Sequence, residues 1–515
     1  LPYITVALKG TTIGTVTDAT GHYFLKNLPE GNFVLEISSV GYKTISRNVT
    51  LKKGKTLEEN FEIEEDAIAL DGVVVSANRS ETTRRLAPTL VNVVDLKLFE
   101  TTNSSTLSQG LNFQPGVRVE TNCQNCGFQQ VRINGLDGPY TQILIDSRPV
   151  FSALSGVYGL EQIPASMIER VEVMRGGGSA LFGSSAIAGT INIITKEPLR
   201  NSGRLSHTIT SIGGSSSFDN NTSLNASLVT DDHRAGLYIF GQNRHRSGYD
   251  YDGDGFTELP KLKNQTVGFR SYLKTSTYSK LTFEYHHMQE FRRGGDMLNR
   301  PPHEAHIAEQ LQHSIDGGSL KYDYFSPDEK NRLSVFASAA NTDRDSYYGP
   351  GNDPLKAYGK TTDLTAMGGA QYVHSFDKLL FMPSDLTAGL EYNRDRLKDN
   401  MWGYDRHTDQ TVNIYSAFLQ NEWKNKHWGI LIGGRLDKHN MVDDIIFSPR
   451  ANLRFNPTDN INLRLSYSSG FRAPQAFDED MHIENVGGTV AMIERAKDLK
   501  EEKSQSFSMS ADMYH

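Results

Sequence analysis

The sequence predicts a mainly β protein: a transmembrane antiparallel β-barrel, preceded by an α+β domain and a small N-terminal β-sandwich. Three observations carry this expectation. Apolar and polar residues alternate in long runs over positions 201–515, the period-two signature of a sheet with one apolar and one polar face. Tight turns such as "SPDEKN" and "NPTDN" alternate with long polar loops over the same region. No run approaches the roughly 18 consecutive apolar residues that a membrane-spanning helix needs, so any bilayer crossing falls to strands.

Length and charge agree with this. The 515 residues suffice for a small module plus one very large closed sheet. With 53 basic and 61 acidic side chains and a net charge of −8, nothing draws the chain toward nucleic acid. The N-terminus "LPYITVALKG" begins in mid-strand without a signal peptide pattern, and is read as the end of a fragment.

Residues 1–66 form short alternating runs broken by "DATGHY", "LPEGNF" and "SVGYKT", where glycine and aspartate supply turns. Residues 67–84 are a linker in which Val73, Val74 and Val75 stand between acidic and basic segments; such a stretch can add to a partner's sheet edge or serve as an ordinary linker strand. Residues 85–200 mix patterns: "SSTLSQGLNFQPGV" predicts a helix of about two turns, and "QVRINGL", "TQILIDSRPV", "IERVEVMRG" and "TINIITK" predict strands. Beyond 201, about fourteen strands are counted, exemplified by Leu281, Phe283 and Tyr285 against Thr282, Glu284 and His286, and by Phe507, Met509, Ala511 and Met513 against Ser508, Ser510 and Asp512. A soluble sandwich would have to bury every apolar face against a second sheet. A barrel gives one face to lipid and the other to a watery lumen, and closure removes the edges.

The stretch "RGGGSALFGSSAIAGTINIITK" packs glycines ahead of a β-branched strand. It lacks the lysine-hydroxyl pair and spacing of a P-loop and the Rossmann pattern, and its glycines suit close backbone packing. With a barrel behind it, the stretch resembles the plug domain of TonB-dependent outer-membrane receptors. The matching residues are Arg175, Gly176, Gly177, Gly178, Ser179, Phe182, Gly183 and Gly189; Gly177 stands where the family usually has proline. By the same resemblance, "LDGVVVSA" sits at the TonB box (Asp71, Gly72, Val73, Val74, Val75, Ser76), "YSSGFRAPQ" carries the barrel motif Phe471, Arg472, Ala473 and Pro474, and residues 1–66 are similar to the carboxypeptidase regulatory-like domain. Lys497 and Ala496 replace a proline and an asparagine in a weakened downstream motif. Family barrels have about 22 strands, which the residues after position 202 cannot supply, so the C-terminus is expected to be incomplete.

The resemblance implies a plug folded inside the barrel lumen, a place in the outer membrane in contact with its lipid, and import driven by TonB with its inner-membrane motor proteins, in some relatives beside a surface lipoprotein. It implies no catalysis and no required cofactor. The implied cargo is a metal chelate, with iron-siderophore first and haem, cobalamin or copper as further readings; a glycan importer of the same superfamily and a non-transporting surface receptor or adhesin are the alternatives.

Candidate ligand residues follow. His303 and His306 lie three apart, which fails the zinc-protease pattern, yet together with His286, His287 and Met288 they offer metal-ligating atoms; a polar loop is the plainer reading. His482 lies where haem receptors of the family carry an axial histidine. Cys123 and Cys126 are read as a small disulfide loop or, if reduced, as ligands for a soft ion such as copper. Asp250, Asp252, Asp254 and Glu258 resemble the start of a calcium loop, but Lys261 replaces the final glutamate of an EF-hand, so Ca2+ in an extracellular loop stands beside a solvated acidic loop.

Overall fold

The computed structural model describes the chain apart from residues 2–3, 19, 40–41, 65–72, 81, 122, 124, 128, 150–158, 351–356, 487–488, 497 and 514–515. Asp71, Gly72 and Lys497 therefore lie outside the described residues.

The large sheet is the dominant element. Fourteen antiparallel strands follow one another in chain order from Ser202–Ser211 to Glu502–Met513, the number read from the alternation. These two strands are its edges among the described residues. Strands run from 10 to 22 residues, long enough for a tilted bilayer crossing. Their outward positions are apolar and exposed, as at Leu205, Phe283, Leu390, Ile432 and Met509, while inward positions are charged and buried, as at Arg244, Glu290, Arg292, Asp437 and Arg454. That inversion of the usual inside and outside is what a lipid-embedded wall around a polar lumen requires. No helix is long and apolar enough to cross a membrane among the described residues.

The α+β domain sits within the curve of this wall. Its sheet has the order Thr141–Ile145, Gly189–Thr195, Ile168–Arg175, Val91–Asp95, the first pair parallel and the others antiparallel. A hairpin of Val117–Thr121 and Gln129–Ile133 stands beside it. Val171, Val173, Ile191 and Ile193 form a fully buried core with Phe99, Leu107 and Leu111. The helix expected in "SSTLSQGLNFQPGV" is only the five residues Leu107–Leu111. The longer estimate is corrected: the backbone of Gln114 and Val117 is taken up in tight turns before the strand begins.

The N-terminal unit is one four-stranded sheet, ordered Gly14–Val16, Thr5–Leu8, Gly31–Ser38, Ile45–Leu51. Its second layer is made of irregular chain, with Tyr23, Leu25, Phe61 and Ile63 packing on Val6, Leu8, Leu35 and Ile37. Thr12 N donates to Thr277 O at 2.8 Å and Thr15 Oγ1 meets His233 Nε2 at 3.3 Å, so this unit rests against the short turns of the wall. The long loops lie at the opposite end.

Candidate functional site

The glycine-rich turn is a fitted part of the plug. Ser179–Phe182 is one helical turn, and a Cβ at Gly177 would stand 2.3 Å from Ser468 Oγ on the wall. A side chain there would require the Ser468 hydroxyl to turn aside, so the turn and the wall are in close contact at this position. The barrel motif closes on the same turn: Ser185 N donates to Phe471 O at 3.0 Å, Phe471 is buried, and the Arg472 guanidinium lies 4.2 Å from the Phe477 ring centre. Arg495 donates to Pro474 O at 3.1 Å, and Ala473 N reaches Ser184 Oγ at 3.4 Å.

The segment after Gly72 is tucked in. Val73–Val74 pairs with Thr82–Thr83, and Val74 packs on Ala77, Ala87 and Val91. One Glu172 oxygen accepts from Val75 N and Ser76 N at 2.9 Å each and from Ser76 Oγ at 2.8 Å. Glu172 belongs to the plug strand Ile168–Arg175, so the linker is tied to the middle of the plug sheet. Residues just beyond are held by the wall: Asn78 donates to Glu422 at 2.7 Å, Arg450 to Ala77 O at 2.9 Å, and Arg79 pairs with Glu391.

A second ionic seam lies on the other flank. Glu161 of the plug meets Arg246 at 3.0 Å, Arg292 at 2.9 Å and Arg244 at 3.3 Å. Burial pushes its carboxyl up, but these three guanidinium groups outweigh it and hold the pKa down at about 2. Neither Glu161 nor Glu172 carries a sequence signal; only the fold gives them partners.

At the loop end, Cys123, Cys126 and His482 converge with Glu309, their ligand atoms all within 4.8 Å of one another. The cysteines are not joined in a disulfide. A hydrogen bond from Cys126, then one from His482, draws the Cys123 thiol down to about 7 against its burial. Burial pushes the His482 imidazole down, but hydrogen bonds with Cys123 and Glu309 prevail and hold it up at about 10. Glu309 was legible only as part of "HEAHIAEQLQH"; the start of a strand at Ile307 turns its side chain inward.

The other candidates stay apart. His287 pairs with Asp316 at 2.8 Å, His303 with Tyr358 at 2.9 Å and His306 with Asp296 at 2.6 Å. His286 packs by Gly317, and Met288 is buried. Asp250, Asp252 and Asp254 place exposed carboxylates within 4.8 Å of one another. Asp250 also accepts from Gly253 N at 2.7 Å and Gly255 N at 2.9 Å, and Glu258 is engaged by Tyr251 N.

Comparison with known proteins gives these features relatives. Residues 83–190 match the TonB-dependent Receptor Plug Domain, residues 190–515 the TonB dependent receptor-like, beta-barrel, and residues 1–75 the CarboxypepD_reg-like domain. The chain is 25% identical over 424 residues to the vitamin B12 transporter BtuB of Vibrio vulnificus (strain CMCP6), which takes in 79% of this chain and 64% of that protein. The chain thus spans just under two thirds of that relative. Its fold is similar to the siderophore receptor PirA from Acinetobacter baumannii, with a TM-score of 0.70 and 19% identity over 84% of this chain and 69% of that one. It is also similar to the ferric citrate transporter FecA in the unliganded form, with a TM-score of 0.65 and 15% identity over 83% and 68%.

Proposed function

The chain belongs to the TonB-dependent receptors of the Gram-negative outer membrane, and from that premise we propose that it imports a scarce metal-containing ligand with energy delivered through TonB. Its work is transport, and no bond-making step is assigned to it. The observation that carries this reading is the Glu172 tie. A pull on Val73–Ser76 reaches the plug strand Ile168–Arg175 through three hydrogen bonds to one carboxylate, while the plug meets the wall through ion pairs that water can replace once it shifts. TonB would engage by strand addition, taking the place of the two-residue ladder between Val73–Val74 and Thr82–Thr83.

Ferric siderophores are the first cargo to test, since PirA is a siderophore receptor of the same fold. Cobalamin is the second reading, favoured by the vitamin B12 transporter among the sequence relatives. The test is deletion of residues 71–76 in the full-length receptor, scored with radio-iron on a panel of siderophores and with radio-cobalt cyanocobalamin. Uptake of one ligand should vanish while its surface binding persists; undiminished uptake would refute the coupling.

A further inference from the structure

Four ligand-bearing side chains from three distant segments meet where the plug touches the loop end of the wall. Cys123 and Cys126 come from the turn between the plug strands Val117–Thr121 and Gln129–Ile133. Glu309 comes from the start of the wall strand Ile307–Phe325, and His482 from the long connection after Ile461–Arg472. The separations are 3.2 Å from Cys123 Sγ to Glu309 Oε2, 3.3 Å from Cys126 Sγ to His482 Nε2 and 3.3 Å from His482 Nε2 to Glu309 Oε2. Ligand atoms on a tetrahedral ion at about 2.0–2.3 Å lie about 3.3–3.8 Å apart; these three separations are already close to that edge length, and all four ligand atoms lie within 4.8 Å of one another. We infer that Cys123, Cys126, Glu309 and His482 bind a bare zinc-class divalent ion that clamps the plug to the wall.

The donor set selects the metal. Calcium and magnesium take oxygen ligands, and copper(I) is selected by thiolate and thioether sulfur, whereas two thiolates, an imidazole and a carboxylate together suit zinc. An iron already wrapped in a siderophore has no vacant positions for these side chains, so the ion is distinct from the proposed cargo. The surroundings are those of a closed structural site: Cys126 is 0% and Glu309 2% exposed, within a shell of Leu311, Tyr348, Met401 and Ile483. The approach of the two elements is built in. A Cβ on Gly294 of the wall would stand 1.8 Å from Asn125 O, so only glycine lets the cysteine turn come this close. Gly127 N closes that turn on Cys123 O at 3.0 Å, and Arg292 donates to Gly127 O at 3.3 Å. Outside the cytosol, two neighbouring cysteines are otherwise drawn into a disulfide; a bound ion keeps both as thiolates. Because the plug supplies two ligands and the wall the other two, displacement of the plug splits the set.

The experiment uses the full-length receptor purified in mild detergent without chelator, with elemental mass spectrometry as the first readout. The expected result is about one zinc per chain, with retention lowered by more than about a hundredfold in the Cys123→Ser/Cys126→Ser variant, since losing a ligand exceeds the effect of losing a ligand's hydrogen-bond partner. Glu309→Gln and His482→Asn should each lower retention by a smaller factor. Cobalt(II) added to stripped wild-type receptor should give thiolate charge-transfer bands and tetrahedral d–d bands, absent in the cysteine variant. Heat-modifiable gel mobility shows that each barrel has folded. Equal zinc in wild type and the cysteine variant, an octahedral cobalt spectrum, copper in place of zinc, or a Cys123–Cys126 disulfide in the unreduced protein would each overturn the assignment. None of these readouts depends on uptake.

Discussion

Inside the plug, Val171, Val173, Ile191 and Ile193 pack hydrocarbon on hydrocarbon with no exposed surface; at its boundary with the wall, Glu161 meets three arginines and Arg79 meets Glu391. The two regions are both buried but do different jobs. Hydrocarbon packing gains free energy in proportion to the area removed from water and has no preferred direction. Buried ion pairs gain in Coulomb energy roughly what they lose in desolvation, yet they penalise any misfit strongly. The core therefore holds the plug together as a unit, and the seam fixes where it sits without gluing it there. A domain that must move as one piece inside a barrel needs both properties.

The comparison breaks most severely if charge is placed in the core. Ile191 lies on the central strand Gly189–Thr195 with neighbours on both sides, so Ile191→Asp should cost at least about 4 kcal/mol of plug stability. Limited proteolysis should then cut the plug while the wall keeps its heat-modifiable mobility. A plug that stays protected would mean that the wall, rather than its own core, holds it folded.

Charge removed from the seam should act differently. Glu161→Gln leaves Arg244, Arg246 and Arg292 with less compensation and should weaken seating by about 3 kcal/mol. The plug should stay resistant to protease, while planar-bilayer recordings show a raised leak through the lumen. Glu172→Gln removes the charged acceptor from the linker and should cost about 2 kcal/mol locally. Amide exchange at Val75 and Ser76 should then rise roughly thirtyfold, with the plug core unchanged.

How much of this was legible in the sequence follows from the range of each interaction. Alternation is local, so the fourteen strands could be counted, and the glycines of the plug turn declare their own crowding. The short helix Leu107–Leu111 was overestimated because the turns that end it depend on later chain. Glu161 and Glu172 look like ordinary acidic residues until strands far along the chain bring up arginines or a backbone segment. The same holds for the thiol cluster. Cys123 and Cys126 are conspicuous as a pair, but Glu309 and His482 join them only through barrel register, and Gly294, which admits the turn, reads as one more glycine.

Acidification is the gentlest way to separate the two regions, because it reaches the seam and leaves hydrocarbon untouched. The Glu161 carboxyl sits at about 2 against an ordinary 4.5. A depressed folded pKa gives stability that is complete above the unfolded value and fades as pH falls through 4.5 toward 2. At about pH 3.5 the loss should be about 1.4 kcal/mol, a tenfold change in the unseated fraction. The lumen leak should therefore rise between neutral pH and pH 3.5 in the wild type, and Glu161→Gln, with no proton to take up there, should start higher and change less. Identical pH profiles in both proteins would place the acid sensitivity elsewhere in the seam, with Asp146 beside Arg270 the next carboxylate to examine.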